Sequence, residues 1–454
     1  MAGCKEDNTS SGSTNNGSTP ATNNSTPAGE TSAADPSSIV DDDKVLSIGV
    51  WGDNGDITHL LEYFRANANL DEGVTVEMVD CGTGGEAARE QYANLLKDGN
   101  TTDLDIIICD MDWVRNYVED DKMTVPLSTI GITAADMPDA FAYTIGVGTD
   151  NNGVLKGASF QATPGAFFYR SDLAKQYLNV ETPDQMQAKV KDWDTFKATA
   201  KELADASGGA CKLLDSETSL WQVFQCNRTK AWVVDNKLEM DTAESFYDFA
   251  KELYDAKGVT DATGWGEGWE ANVQEGKALG EFAPTWGLTG LNGSILGDMA
   301  KYDKDTKTPT YEMGLCDGPQ AWYWGGSYFC VTNKCNTKKT AAEWIRFYTC
   351  NKDSMKGYSE AYGDYMNNKS AMAEMVSAGV KNPSLVGGQD HFAILNKTVG
   401  NIDVTGKLTT YDSVIKGKFN DSVRKYMLGE LDKQAAIDDF KNEVRAAFPD
   451  LTVE

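Results

Sequence analysis

Val45-Leu46-Ser47-Ile48-Gly49-Val50 is the stretch on which the fold turns. It is the first apolar run in the chain, and its length and aliphatic content predict a strand. The signal then alternates. Ile57 to Ala68 reads as a helix with Leu60, Leu61 and Phe64 on one side, Val74 to Val79 as a strand, Ala87 to Leu96 as a helix and Leu104 to Cys109 as a strand. A βαβαβ order predicts a parallel sheet covered by helices, with ligands beyond the carboxyl ends of the strands. Those ends read Trp51-Gly52-Asp53-Asn54-Gly55-Asp56, then Cys81-Gly82-Thr83-Gly84-Gly85-Glu86, then Asp110-Met111-Asp112-Trp113. They are aromatic and acidic.

Upstream of this core, residues 1–44 have a different character. From Lys5 to Ser38 the chain is a Ser/Thr/Asn/Gly/Pro tract with no aromatic residue. Such a segment cannot bury enough apolar surface to offset the entropy of ordering it, so a disordered tether is expected, with a reach of roughly 35 Å. Met1-Ala2-Gly3-Cys4 resembles the end of a bacterial lipobox. That resemblance implies a lipid on Cys4 and a Met1 standing where the apolar signal segment has been removed; the plain alternative is a disordered tail with an incidental cysteine.

The remaining body, about 410 residues, is too long for one ordinary hydrophobic core and predicts two lobes. It holds no run of eighteen apolar residues, so the body is not expected to span a membrane. A net charge of −28 excludes nucleic acid as a partner, because phosphate contacts need Lys and Arg. Two histidines, His59 and His391, with no Cys-x-x-Cys spacing, leave no basis for a histidine metal site or proton relay. Asp41-Asp42-Asp43 and Glu119-Asp120-Asp121 read as solvated surface, since neither provides a spaced oxygen cage. No metal and no cofactor are expected. Apart from Cys4, eight cysteines remain, an even number that permits disulfides in an oxidising compartment but equally suits buried free thiols; Cys211 with Cys226 and Cys330 with Cys335 are the pairs closest in sequence.

Gly82-x-Gly84-x-x-Ala87 fits a relaxed dinucleotide fingerprint, with Asp105 and Asp110 downstream. It falls on the second strand, and Glu86 would place a carboxylate where the pyrophosphate belongs. The better reading is a strand-to-helix turn with Glu86 at the helix start. Near the C-terminus, Lys418 to Phe448 reads as amphipathic helices with Phe419, Val423, Met427 and Leu431 on a core stripe.

Gly165-Ala166-Phe167-Phe168-Tyr169-Arg170-Ser171-Asp172-Leu173 predicts a strand feeding a helix, followed by Thr182-Pro183 and Asp192-Trp193-Asp194-Thr195-Phe196. This segment resembles one in the extracellular carbohydrate-binding proteins of ABC importers, the maltose-binding-protein class. Three further segments resemble that family in the same order: Leu104 to Ile107 with Trp113 and Tyr117, Gln274-Glu275-Gly276-Lys277-Ala278 to Trp286, and Gly325-Gly326 to Ala341-Ala342-Glu343-Trp344-Ile345. The chain departs from the pattern at Leu104, at Arg170-Ser171 and in the long stretch Thr182 to Trp193.

The resemblance implies an α/β, two-lobed periplasmic-binding-protein-like fold with a hinge and an interlobe cleft. On this chain the N-terminal lobe would comprise 45–157 plus 315–355, the C-terminal lobe 158–314 plus 356–454, and the hinge would pass near Lys156 to Gln161. It further implies a monomeric receptor outside the cytoplasmic membrane, attached by its lipid alone, that holds a sugar or oligosaccharide and delivers it to ABC permease subunits.

A pyranose offers C–H faces to flat rings and hydroxyls to Asp, Glu, Asn and Gln. Eleven Trp make such a site available. Trp265 and Trp269 lie among glycines, where a core indole would pack poorly. Trp286 matches the position at which the family stacks an indole on sugar, against a core role after Phe282. Asp112, set against helix capping, and Trp113 end the third strand; Trp51 and Asp53 end the first; Glu86 follows the second. Gln161 follows the hinge and Trp324 lies where the chain crosses back. Three alternatives stand beside this reading. A glycoside hydrolase would need two carboxylates at catalytic separation, which nothing in the sequence places, and there is no Gly-x-Ser-x-Gly elbow. A glycan-adhesion module would lack a permease, and a receptor for a peptide or polyol would keep the fold with another ligand.

Overall fold

The computed structural model describes residues 32–454 except 53, 54, 101, 103, 267, 289–294, 304 and 307. Cys4, most of the expected tether and Asp53 therefore lie outside the described residues. Ten strands build two five-stranded sheets. In chain order they are β1 (Val45–Val50), β2 (Thr75–Asp80), β3 (Ile106–Asp110), β4 (Gly157–Ser159), β5 (Gly165–Arg170), β6 (Lys212–Ser216), β7 (Val259–Ala262), β8 (Ala278–Pro284), β9 (Met313–Cys316) and β10 (Ser327–Val331).

The first sheet has the order β2-β1-β3-β10-β4. Its opening three strands are parallel, as the alternating signal predicts. β10 runs antiparallel to both β3 and β4. Ile106, Ile107, Ile108 and Cys109 are fully buried, the continuous apolar run of a strand covered on both faces. Gly49 lets the covering helix Gly85–Leu95 approach, since a Cβ there would lie 2.8 Å from the Tyr92 ring. The second sheet has the order β9-β5-β8-β6-β7. Its core gathers Phe167, Phe196 and Phe282, with Phe282 5.2 Å from Phe167 and 5.5 Å from Phe196. The C-terminal helices Asp412–Met427 and Lys433–Ala447 close that side, with Phe419, Val423 and Met427 buried as the stripe predicts. Leu431 lies beyond the first of these helices and is half-buried.

The crossings between the sheets differ from the expected boundaries. Ala158 lies within β4 and pairs with Phe329 of β10, so it belongs to the first sheet. Leu315 lies within β9 and pairs with Phe168 of β5, so it belongs to the second. Lys356 sits in the helix Lys352–Tyr362, which packs on the first side through Tyr63 against Tyr358 at 5.5 Å and His59 against Tyr362 at 4.2 Å. The return therefore comes after Tyr362, where Gln161 and Met366 form an isolated bridge. Long-range pairing, invisible to local pattern, shifts each boundary. The eight described cysteines are free thiols.

Candidate functional site

The strand ends of the first sheet and the loops and helix of the second face each other across a cavity of about 660 Å³. One wall carries Trp51, Thr83 to Gly85, Asp110, Asp112 and Trp113; the other carries Thr218, Gln222, Trp265, Trp286 and one face of the helix Asp412–Met427, with Trp324 between them.

Local backbone chemistry sets the indoles. β8 stops at Pro284, which has no N–H to extend a ladder, and the one-turn 3₁₀ helix Thr285–Gly287 carries Trp286 at the cavity. Trp265 adopts φ +62°, a left-handed conformation that costs a non-glycine residue energy and marks a constrained loop. Gly325 at φ +67° and Gly326 at φ +117° bring the crossing chain past Asp110; a Cβ on Gly325 would lie 2.9 Å from an Asp110 carboxylate oxygen.

The result is a continuous aromatic surface. Trp265 and Trp286 stack at 5.7 Å with planes 16° apart, and Trp324 stands edge-on to both at 6.0 and 5.5 Å. Trp286 Nε1 donates to the Trp324 carbonyl oxygen at 3.1 Å, which fixes the corner. Trp265 is 68% exposed, one of the few large apolar side chains so open to solvent. On the other wall Trp51 and Trp113 meet edge-to-face at 5.7 Å.

The polar groups cluster at the end of β3. The Asp112 backbone N–H donates to Asp110 Oδ1 at 2.8 Å. Burial, and then the neighbouring Asp112, push the Asp110 carboxyl up to about 7, while Lys416 pulls it down. Lys416 Nζ donates to Asp112 Oδ2 at 2.7 Å and to Gln222 Oε1 at 3.2 Å, so one ammonium joins the two walls. Nearby, Arg89 donates to Ser413 Oγ at 3.0 Å and Asn116 to the Thr410 carbonyl at 3.1 Å.

Of the residues singled out in the sequence, Trp51, Asp112, Trp113, Trp265, Trp286 and Trp324 meet at this cavity. Three do not line it. Glu86 is exposed in the first turn of the helix Gly85–Leu95, where the helix dipole favours a carboxylate. Gln161 is buried and donates to Asp364 Oδ2 at 2.6 Å. Trp269 is buried 4.6 Å behind Trp265, backing the aromatic surface. Sequence reasoning missed Asp110, Gln222 and Lys416. Ser413, Lys416, Gly417 and Asn420 recur at helical spacing and line the cavity as one face, bordering the Phe419 stripe of the same helix.

The chain belongs to the bacterial extracellular solute-binding proteins, a family that matches residues 64–386. No curated protein matches it. Among solved structures, an extracellular solute-binding protein of family 1 superposes with TM-score 0.73 at 16% identity, covering 89% of this chain and 99% of that one. The ABC transporter associated binding protein from B. animalis subsp. lactis, in complex with β-1,6-galactobiose, gives TM-score 0.66 at 16% identity over 90% and 99%. The Thermus thermophilus maltotriose-binding protein, bound with maltotriose, gives 0.61 at 14% over 88% and 99%. The chain thus has the two-domain α/β fold of periplasmic solute-binding proteins.

Proposed function

We propose that this protein captures a sugar or oligosaccharide between its two sheets and hands it to an ABC permease, without acting chemically on it. The observation that carries this reading is the joined indole surface of Trp265, Trp286 and Trp324 facing Trp51, Trp113 and the Asp110–Asp112 pair across one cavity. Indole faces accept pyranose C–H groups, and the carboxylates accept hydroxyls. Rings 5.7 Å apart leave no room for a group between them, so they form a platform and not a cage for a quaternary ammonium ion. Structures of the same fold hold maltotriose and β-1,6-galactobiose, which supports a glycan ligand.

In this reading the two sheets define two lobes, crossed near Gln161, Asp317 to Gly326 and Gly363 to Met366. A ligand that touches both walls favours the shut arrangement. Cys4 carries the lipid, and the monomer works outside the membrane at the end of its tether. A thermal-shift screen of the purified protein against mono- and oligosaccharides, with amino acids, peptides and polyols as controls, tests the ligand class by mass action. One glycan family should raise the melting temperature and be recovered intact. A response confined to a control ligand, or a cleaved glycan, contradicts the proposal.

A further inference from the structure

Resting on that reading, we propose that Lys416 is a specificity-determining residue: its ammonium fills the cationic position of the cleft and restricts the ligand to neutral glycans. Among the described residues lining the cavity, Lys416 is the one basic side chain, and Asp110 and Asp112 are the acidic ones. Its Nζ lies 2.7 Å from Asp112 Oδ2 and 3.2 Å from Gln222 Oε1, with the Lys416 side chain 12% and the Asp112 side chain 31% exposed. At that depth the pair is only partly screened by solvent.

The consequence follows from charge and tethering. A uronate or sulfated sugar would bring a further anion beside the Asp110–Asp112 pair, while the one ammonium lining the cavity is already engaged. An amino sugar would find the right carboxylate, but its place is held by an ammonium fixed to the helix Asp412–Met427. A tethered group competes at an effective concentration of the order of millimolar or higher, which a free ligand must exceed. A neutral hydroxyl faces neither obstacle, since Asp112 keeps acceptor capacity beyond its bond to Lys416. Gln222 is held from the other side by Gln225 Nε2 at 2.6 Å, so the position is built and not a chance surface pairing.

Lys416→Ala and Lys416→Arg in the full chain provide the test. Without sugar, ethylammonium chloride should raise the melting temperature of Lys416→Ala by about 3 °C over sodium chloride at equal ionic strength, and leave the wild type and Lys416→Arg unchanged. By calorimetry, the fully deacetylated chitosan trisaccharide should bind Lys416→Ala roughly tenfold or more tighter than the wild type, whereas trigalacturonate should bind neither. Equal responses of Lys416→Ala to both salts, or equal chitosan affinity in the two proteins, overturn the assignment. Failure of every neutral glycan to bind the wild type would instead sink the receptor reading, and the ethylammonium arm would still decide the cation position.

Discussion

Asp41 Oδ2 accepts the hydroxyl hydrogen bond of Thr340, 299 residues later, at 2.6 Å. The other oxygen, Oδ1, accepts from the backbone N–H groups of Lys339 at 2.7 Å and Thr340 at 3.1 Å. The helix Lys338–Thr349 has no side-chain cap of its own at Thr337, so the segment leading out of the tether supplies one. Asp41→Ala should lower stability by about 1 kcal/mol, read as a reduced urea midpoint with an unchanged slope. An unchanged midpoint would show that the cap contributes nothing.

At the crossings, Gln161 Nε2 donates to Asp364 Oδ2 at 2.6 Å, and both residues are buried. Burial pushes the Asp364 carboxyl up to about 6. A raised folded value means its contribution to stability is complete below about pH 4 and is lost as pH rises through about 6. Gln161→Leu removes the donor, which should cost about 1–3 kcal/mol. The loss should be larger at pH 8, where the carboxylate is ionised, than at pH 5. Thermal melts at the two pH values check this, and the reverse ordering would contradict it.

Glu281 of β8 is fully buried, and neither carboxyl oxygen has a hydrogen-bond partner among the described residues. Burial, with Asp215 and Glu270 nearby, holds its carboxyl well above the usual range and favours its protonated form. The proton becomes costlier to hold as pH rises above about 4.5, and stability falls accordingly. Glu281→Met, similar in volume and without polar atoms, should melt higher than the wild type at pH 8, with the gap narrowing towards pH 5. A variant less stable at pH 8 would point to a partner for this carboxyl.

Gly325 holds φ +67° with Asp110 against the place where a Cβ would stand. Gly325→Ala should cost about 1–2 kcal/mol in strain. It should also weaken glycan binding by disturbing the Trp324 carbonyl that receives Trp286. Wild-type affinity in this variant would separate the crossing from the site.

The βαβαβ opening was legible because its apolar runs end in Gly- and Asp-rich turns, and β1 pairs in parallel with β2 and β3 as it predicts; the order β2-β1-β3 was not part of that reading. The crossings were not legible, because Ala158 and Leu315 take their places from partners at Phe329 and Phe168. In the site, Trp265 was legible as an indole among glycines, and Trp286 through the family resemblance of the stretch that carries it. Lys416 was not, since its partner Asp112 lies 304 residues away and no local pattern marks a bond across a cleft. Gln161, singled out because it follows the hinge, donates to Asp364, 203 residues on, a bond that no local pattern marks either.

The central claim is that the ligand lies on the Trp286 face between the sheets. Isothermal titration calorimetry of wild type and Trp286→Ala, with whichever glycan gives the thermal shift, tests it most directly. A stacking anchor in a desolvated cleft contributes on the order of 2 kcal/mol, so the variant should bind roughly thirtyfold more weakly while melting as a folded protein. Equal affinity in a folded Trp286→Ala protein would place the ligand elsewhere and contradict the account.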